Sequence, residues 1–239
     1  MIFLRSLLFQ ILFYTWTALC AFLGAPFMLL PPLWMMRFGT EWLRVALWLL
    51  RVTVGLTHEV RGREHLPAGP VLIAMKHQSA WDTFAVPILF PLAAMVIKRE
   101  LGYVPFYGWY ALKAGMIPVD RKGGAKTLKR MVDACKDRLA QNRSIMIFPE
   151  GTRSAVDATV RYQPGVAALY SSLDVPLVPV ALNSGLFWGR RAFTKRPGKI
   201  IVEILPAIAP GGDRRAVLAE LQERIEQATA RLIAESSER

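Results

Sequence analysis

The sequence predicts an α/β fold: a single domain with a central mixed β-sheet flanked by helices, preceded by an N-terminal membrane-embedded helical segment. Three observations carry this. A long uncharged apolar run lies near the start of the chain, short apolar runs of strand length recur after it, and amphipathic stretches of helical period separate several of them. At 239 residues the chain suffices for one domain with a sizeable core and is short for two.

Residues 7–36 read LLFQILFYTWTALCAFLGAPFMLLPPLWMM, without a charged side chain. As a helix, residues 7–27 alone would reach about 30 Å, one hydrocarbon core. Pro26, Pro31 and Pro32 break that helix. An apolar pattern resumes over residues 42–56, WLRVALWLLRVTVGL, where Arg44 and Arg51 are long enough to snorkel toward headgroups. Two membrane helices around a proline bend are therefore expected within residues 1–57, spanning the bilayer or dipping into one leaflet, with the α/β domain over 58–239. A cleaved signal peptide fits less well, because the run is long, only Arg5 precedes it and no small-x-small site stands before the second apolar segment. This segment accounts for the high hydrophobic fraction of 53% and the mean hydropathy of +0.30.

After a turn-rich stretch with a short strand near Val60, VLIAM (71–75) has the composition of a buried strand. Further candidates are AAMVI (93–97), MIPV (116–119), SIMIF (144–148), VPLVPVAL (175–182) and KIIVEIL (199–205). A helix is predicted over residues 125–142, where Leu128, Met131, Val132, Cys135 and Leu139 form one stripe. Another follows the turn at Pro164 and Gly165. A last one opens at Asp213, with Leu218, Leu221, Ile225, Ala228 and Leu232 at spacings of 3, 4, 3 and 4. The Glu and Arg residues of its other face are expected to be solvated.

Thirty Lys and Arg against 18 Asp and Glu give a net charge of +12, which suits anionic lipid, phosphorylated ligands or an acidic carrier protein. Nucleic acid fits poorly, since the aromatics concentrate in the membrane segment and no binding motif is present. Cys20 and Cys135 have no metal-ligand spacing, and neither a metal nor a disulfide framework is expected.

The polar motifs fall at strand ends, where α/β sheets collect their sites. In KHQSAWDT (76–83), His77 and Asp82 are five residues apart, which puts them on one face of neither a helix nor a strand. If they meet, the chain turns between them. A carboxylate on one imidazole nitrogen fixes the tautomer and leaves the other nitrogen to take a hydroxyl proton. Alternatives are a His77 that only caps or fills the core, and Ser79 as nucleophile, although no Gly-x-Ser-x-Gly elbow surrounds it. In FPEGTRS (148–154), Gly151 allows close backbone approach, Thr152 supplies a hydroxyl and Arg153 a fork for phosphate or carboxylate. Glu150 could accept from a substrate hydroxyl or hold Arg153. Arg121 and Lys122, after MIPV, offer a second cationic contact.

HQSAWD resembles the His-x4-Asp motif of the glycerolipid acyltransferases. GMIPVDR (115–121), FPEGTRS and VPLVPVAL resemble that family's second, third and fourth motifs, in the family's order, and KREL (98–101) with PFYGW (105–109) resembles the stretch between the first two. Within the family the resemblance is to the bacterial 1-acylglycerol-3-phosphate acyltransferases. It implies acyl transfer from acyl-carrier protein or acyl-CoA to the sn-2 hydroxyl of lysophosphatidic acid. It also implies His77 as base, Asp82 as its orienter, Arg121, Glu150, Gly151, Thr152 and Arg153 at the glycerol phosphate, and Pro179 in the acyl-donor region. Lys76 stands where family members often have Asn, and Pro118 and Val119 where Phe and Ile are commoner; no reacting group is lost. No cofactor is implied beyond the acyl donor, and a bacterial inner membrane location with the catalytic domain facing the cytoplasm is expected. Other readings are an acyltransferase for another lysolipid, such as lyso-ornithine lipid, and a non-catalytic protein binding anionic lipid.

Overall fold

A computed structural model describes the whole chain except Lys122, Asp157, Thr159, Glu238 and Arg239. Two helices come first, α1 (Ile2–Leu23) and α2 (Pro32–Leu49), joined by a 3-10 turn. The apolar pattern suggested a second helix from residue 42, but α2 starts ten residues earlier. Proline at a first helical position loses no hydrogen bond and carries helical φ, so Pro32 opens this helix rather than only ending the previous one. A π-turn and Gly55, at φ +79°, hand the chain to the sheet.

Among the described residues seven strands form one mixed sheet in the order β1-β7-β6-β2-β5-β3-β4. The strands are β1 (Leu56–Arg61), β2 (Leu72–Met75), β3 (Ala94–Lys98), β4 (Ile117–Val119), β5 (Ile145–Ile147), β6 (Leu177–Leu182) and β7 (Gly198–Ile204). The β6–β7 pair is antiparallel and every other neighbouring pair is parallel. The boundary expected at residue 57 falls inside β1. The helices after the first strand segment are α3 (Ala80–Leu89), α4 (Tyr107–Lys113), α5 (Gly124–Ala140), α6 (Pro164–Leu173) and α7 (Arg214–Ser237).

The period of two along the central strands sorts the core into two layers. Ile73 and Met75 of β2 join Met146, Val178 and Val180 on the face covered by α1, α2 and α3. Leu72 and Ala74 join Ile145, Ile147 and Leu177 on the face covered by α5, α6 and α7. Phe9 of α1 is fully buried in the first layer, which fastens the N-terminal helices to the sheet. Elsewhere α1 is bare: Phe3, Leu4, Ile11, Leu19, Phe22 and Leu23 are exposed. It is the one helix among the described residues that is long and apolar enough to cross a membrane. Large apolar side chains are also exposed on α2 (Trp34, Trp48) and α4 (Trp109, Leu112). Such a surface fits association with a bilayer.

Because β2, β4, β5 and β6 are mutually parallel through the sheet, their C-terminal ends share one edge. The chain leaves β2 for β3, then returns to insert β5 between them, so the loops after β2 and β5 emerge side by side at a reversal of strand order.

Candidate active site

The turn after β2 is built by its own polar side chains. Ser79 is the N-cap of α3, its hydroxyl accepting from Trp81 N at 3.1 Å, and Asp82 completes the capping box. Ser79, rather than Asp82, begins the helix, because a cap must lie two or three residues before the amides it satisfies. Ser79 is fully buried in that task. Asp82 Oδ2 accepts from the backbone of Gln78 (2.7 Å) and Ser79 (2.8 Å) and lies 3.0 Å from His77 Nδ1. The chain thus turns back, and the two residues five apart meet.

The Asp82 carboxylate is wholly buried. Its other oxygen, Oδ1, accepts from the hydroxyl of Ser184 at 2.5 Å. With Nδ1 directed at Asp82, His77 Nε2 has no hydrogen-bond partner among the described residues. The ring stacks on Phe148, the residue after β5, with centroids 3.9 Å apart and planes at 16°. The imidazole is clamped between a carboxylate and an aromatic face, and the His77 side chain keeps 13% exposure. Such a pair can remove a proton at Nε2 while Asp82 stabilises the imidazolium.

The loop after β5 wraps the backbone of His77. Gly151 adopts φ +69°, a conformation that glycine reaches at little cost, and its carbonyl accepts from the Arg121 guanidinium. Arg121, after β4, is thereby drawn to the same loop, and Asp120 before it pairs with Arg99 at 2.9 Å. Thr152 is exposed, and Arg153, half-buried, has no ion-pair partner among the described residues. Lys122 lies outside the described residues. Glu150, whose side chain is buried, turns inward: Oε2 accepts the His77 N–H at 2.9 Å and Oε1 lies 3.1 Å from Lys76 Nζ. Burial pushes its carboxyl up to about 7, against the opposing pull of Lys76, Ser154 and the His77 amide. Pro179 is buried within β6, in register with Ala74 of β2.

Two contributors escaped the sequence reading. Ser184 lies just past β6, 102 residues from Asp82. Glu226 sits on the face of α7 expected to be solvated, yet its Oε1 lies 2.6 Å from the buried Lys76 Nζ. That expectation is corrected: a lysine 1% exposed at the end of an all-buried strand demands a counter-charge, and α7 supplies it. The lysine was the available signal; its partner was not legible.

Beside the site a cavity of about 1270 Å³ opens between α1, α2, α3 and α4. Tyr14, Phe38, Trp42, Phe84, Tyr110 and Met116 line it, and it reaches Thr83, next to Asp82. Its lining is mostly apolar, as in ligand pockets, and it is larger than the roughly 300 to 1,000 Å³ usual for them.

The Acyltransferase family model matches residues 57–183, a span that contains all four motif segments. The chain belongs to that family. It is 37% identical to the 1-acyl-sn-glycerol-3-phosphate acyltransferase of Pseudomonas aeruginosa, over 98% of this chain and 92% of that protein. It is 31% identical to the enzyme of the same name from Limnanthes alba, over 76% of this chain and 65% of that protein. The crystal structure of the 1-acyl-sn-glycerophosphate (LPA) acyltransferase PlsC from Thermotoga maritima matches with a TM-score of 0.79 at 19% identity, covering 97% of this chain and 98% of that one. The last likeness shows that this acyltransferase shares the PlsC fold. Ser184 and Glu226 both lie beyond the segment that the family model covers.

Proposed function

We propose that this acyltransferase moves a fatty acyl group from a thioester to the sn-2 hydroxyl of 1-acyl-sn-glycerol 3-phosphate, forming phosphatidic acid for phospholipid synthesis. The observation that carries the reading is the buried Asp82 bound to His77 Nδ1, with Nε2 unengaged among the described residues at the sheet edge that bears the Arg121 and Arg153 loops. The curated relatives carry the same activity in their names.

The chemistry follows from the geometry. His77 Nε2 takes the proton of the acceptor hydroxyl as its oxygen attacks the thioester carbonyl, and Asp82 stabilises the imidazolium. The tetrahedral intermediate collapses by breaking the carbon–sulfur bond, and the proton passes from His77 to the leaving thiolate. A thioester is already activated, so neither an acyl-enzyme nor a cofactor is needed. Arg121, Thr152, Arg153 and the Gly151 backbone hold the acceptor phosphate, and Glu150 shapes that loop from beneath. The apolar cavity takes an acyl chain, and Pro179 belongs to the strand that borders the donor side. The donor is acyl-carrier protein or acyl-CoA. The enzyme works at the bacterial inner membrane with the catalytic domain toward the cytoplasm, its N-terminal helices holding the site where lysolipid headgroups lie.

A panel of acceptors and donors, given to purified membranes with wild type and His77→Ala side by side, tests this. Lysophosphatidic acid should be acylated by wild type and not by the variant. Turnover confined to a phosphate-free lysolipid would overturn the acceptor assignment. No acylation of any acceptor by either protein would favour a lipid-binding protein without catalysis, and equal turnover by both would remove His77 as the base.

A further inference from the structure

Beneath the catalytic loop lies a charged cluster that does not touch the reacting groups. Lys76 Nζ stands between Glu226 Oε1, at 2.6 Å, and Glu150 Oε1, at 3.1 Å. Glu150 Oε2 accepts the His77 N–H at 2.9 Å. Ser154 donates its backbone N–H to the His77 carbonyl at 2.8 Å, and its hydroxyl lies 3.2 Å from that carbonyl and 3.1 Å from Glu150 Oε1. The Tyr162 hydroxyl donates to Glu226 Oε1 at 3.1 Å. Both peptide groups flanking the base are therefore held by the loop after β5. That loop is held by a lysine, and the lysine by helix α7.

The protonation of Glu150 decides whether this chain of contacts is complete. As a carboxylate it accepts at both oxygens; as an acid its O–H finds no acceptor in the His77 amide or the Lys76 ammonium, only in the Ser154 hydroxyl beside Oε1, and the attraction to Lys76 is weakened. Among the described residues the titratable groups around it are Lys76 and His77 after β2, Tyr162 before α6, and, across Lys76, Glu226 on α7. Burial raises the Tyr162 phenol above its usual range, so it stays a neutral donor. Burial pushes the carboxyl itself up to about 7 against the pull of Lys76, the ammonium that Glu226 also engages at 2.6 Å.

We propose that Lys76 and Glu226 are positioning residues for acyl transfer: acting through Glu150 they fix the backbone of His77, so that helix α7 sets the pH range over which the catalytic loop is organised. The inference rests on the acyl-transfer reading. It predicts shifts of opposite sign. Lys76→Met leaves Glu150 facing Glu226 without a cation, which favours the acid. Glu226→Gln frees Lys76 from its competing partner, which favours the carboxylate.

The test joins two measurements on the full-length protein in detergent. One is the pH profile of kcat/KM with lysophosphatidic acid, from about pH 6 to 9.5. The other is the titration of the Glu150 carboxyl by carbon-13 NMR, its signal identified by its loss in Glu150→Gln. Lys76→Met should move the acid limb and the carboxyl midpoint up by about one pH unit, tenfold in rate on that limb. Glu226→Gln should move both down, and neither substitution should move the limb in a Glu150→Gln background. Glu226 is 22% exposed at its side chain, so Glu226→Gln carries the test even where Lys76→Met fails to fold. A uniform loss at all pH, shifts of the same sign, or a limb that moves without Glu150 overturns the proposal. Wild type inert toward lysophosphatidic acid would instead refute the activity, with the carboxyl titration still reporting on the cluster.

Discussion

The loops after β2 and β5 each bring a buried carboxylate to His77, and the two are held in different ways. Asp82 meets the imidazole, and its other partners among the described residues are two backbone amides and one hydroxyl, with no fixed cation. Glu150 meets the peptide N–H of the same residue and is paired with an ammonium. Among the described residues the first arrangement gives the carboxylate no cation other than the imidazolium that forms when His77 takes a proton. The second is neutralised in the resting state and gives nothing to the proton transfer. On the proposed mechanism one carboxylate serves the chemistry and the other the geometry, although both lie within hydrogen-bond reach of one residue.

Removing the chemical half should cost most. His77→Ala is expected to lower kcat about 10² to 10⁴-fold, roughly 3 to 5 kcal/mol, with the protein still folded and membrane-bound. Asp82→Asn keeps the size of the side chain but changes what it offers Nδ1, so kcat should fall by a similar factor while acceptor KM holds. A steady-state assay that found either variant near wild-type rate would erase the distinction between the two carboxylates.

How far this was legible in the sequence differs between the same two loops. The motif His77 to Asp82 is local, and its spacing alone says that a turn joins the two residues if they meet. The strands were legible too, because burial on both faces leaves continuous apolar runs such as LIAM in β2. What could not be read was pairing at long range: Ser184 reaches Asp82 across 102 residues and Glu226 reaches Lys76 across 150. On α7 the pattern of apolar positions correctly marked Leu221, Ile225 and Ala228 as buried. Periodicity gives the direction a helix faces, however, and not what stands opposite its polar flank. The start of α2 was hidden for another reason, since proline both ends one helix and begins the next.

The geometric half has its own signature in stability. An ordinary glutamate ionises near 4.5, whereas burial holds Glu150 protonated up to about 7. Below 4.5 both folded and unfolded chains are protonated and nothing differs; between 4.5 and 7 the unfolded chain releases its proton first, so stability falls as pH rises. The 2.5-unit gap corresponds to about 3 kcal/mol, fully lost above pH 7. Glu150→Gln has no such proton to release. Melting temperatures of the two proteins between pH 5 and 8 should therefore diverge in slope, the variant being flatter. Parallel curves would mean that Glu150 is an ordinary carboxylate and that the two loops are alike.

Arg153 tests the substrate side of the loop after β5. Loss of a charge-assisted contact to phosphate, about 2 to 3 kcal/mol, should raise acceptor KM roughly 30- to 160-fold in Arg153→Ala while donor KM stays unchanged. An increase in donor KM instead would move the phosphate grip elsewhere and give this loop a role on the thioester side.

Ser184 gives the smallest and most discriminating effect. Its hydroxyl is the sole described partner of Asp82 Oδ1, and both groups are fully buried, so Ser184→Ala leaves one carboxylate oxygen without a donor. The expected cost is about 1.5 kcal/mol, roughly tenfold in kcat, with both KM values unchanged because Ser184 touches no substrate. The comparison sharpens if the same truncation is made at Ser154, which serves Glu150 and the His77 carbonyl. Ser154→Ala weakens the support of the peptide and should shift the acid limb of the pH profile, whereas Ser184→Ala should lower the rate evenly across pH. Identical profiles for the two serine variants would mean that the carboxylates act as one unit.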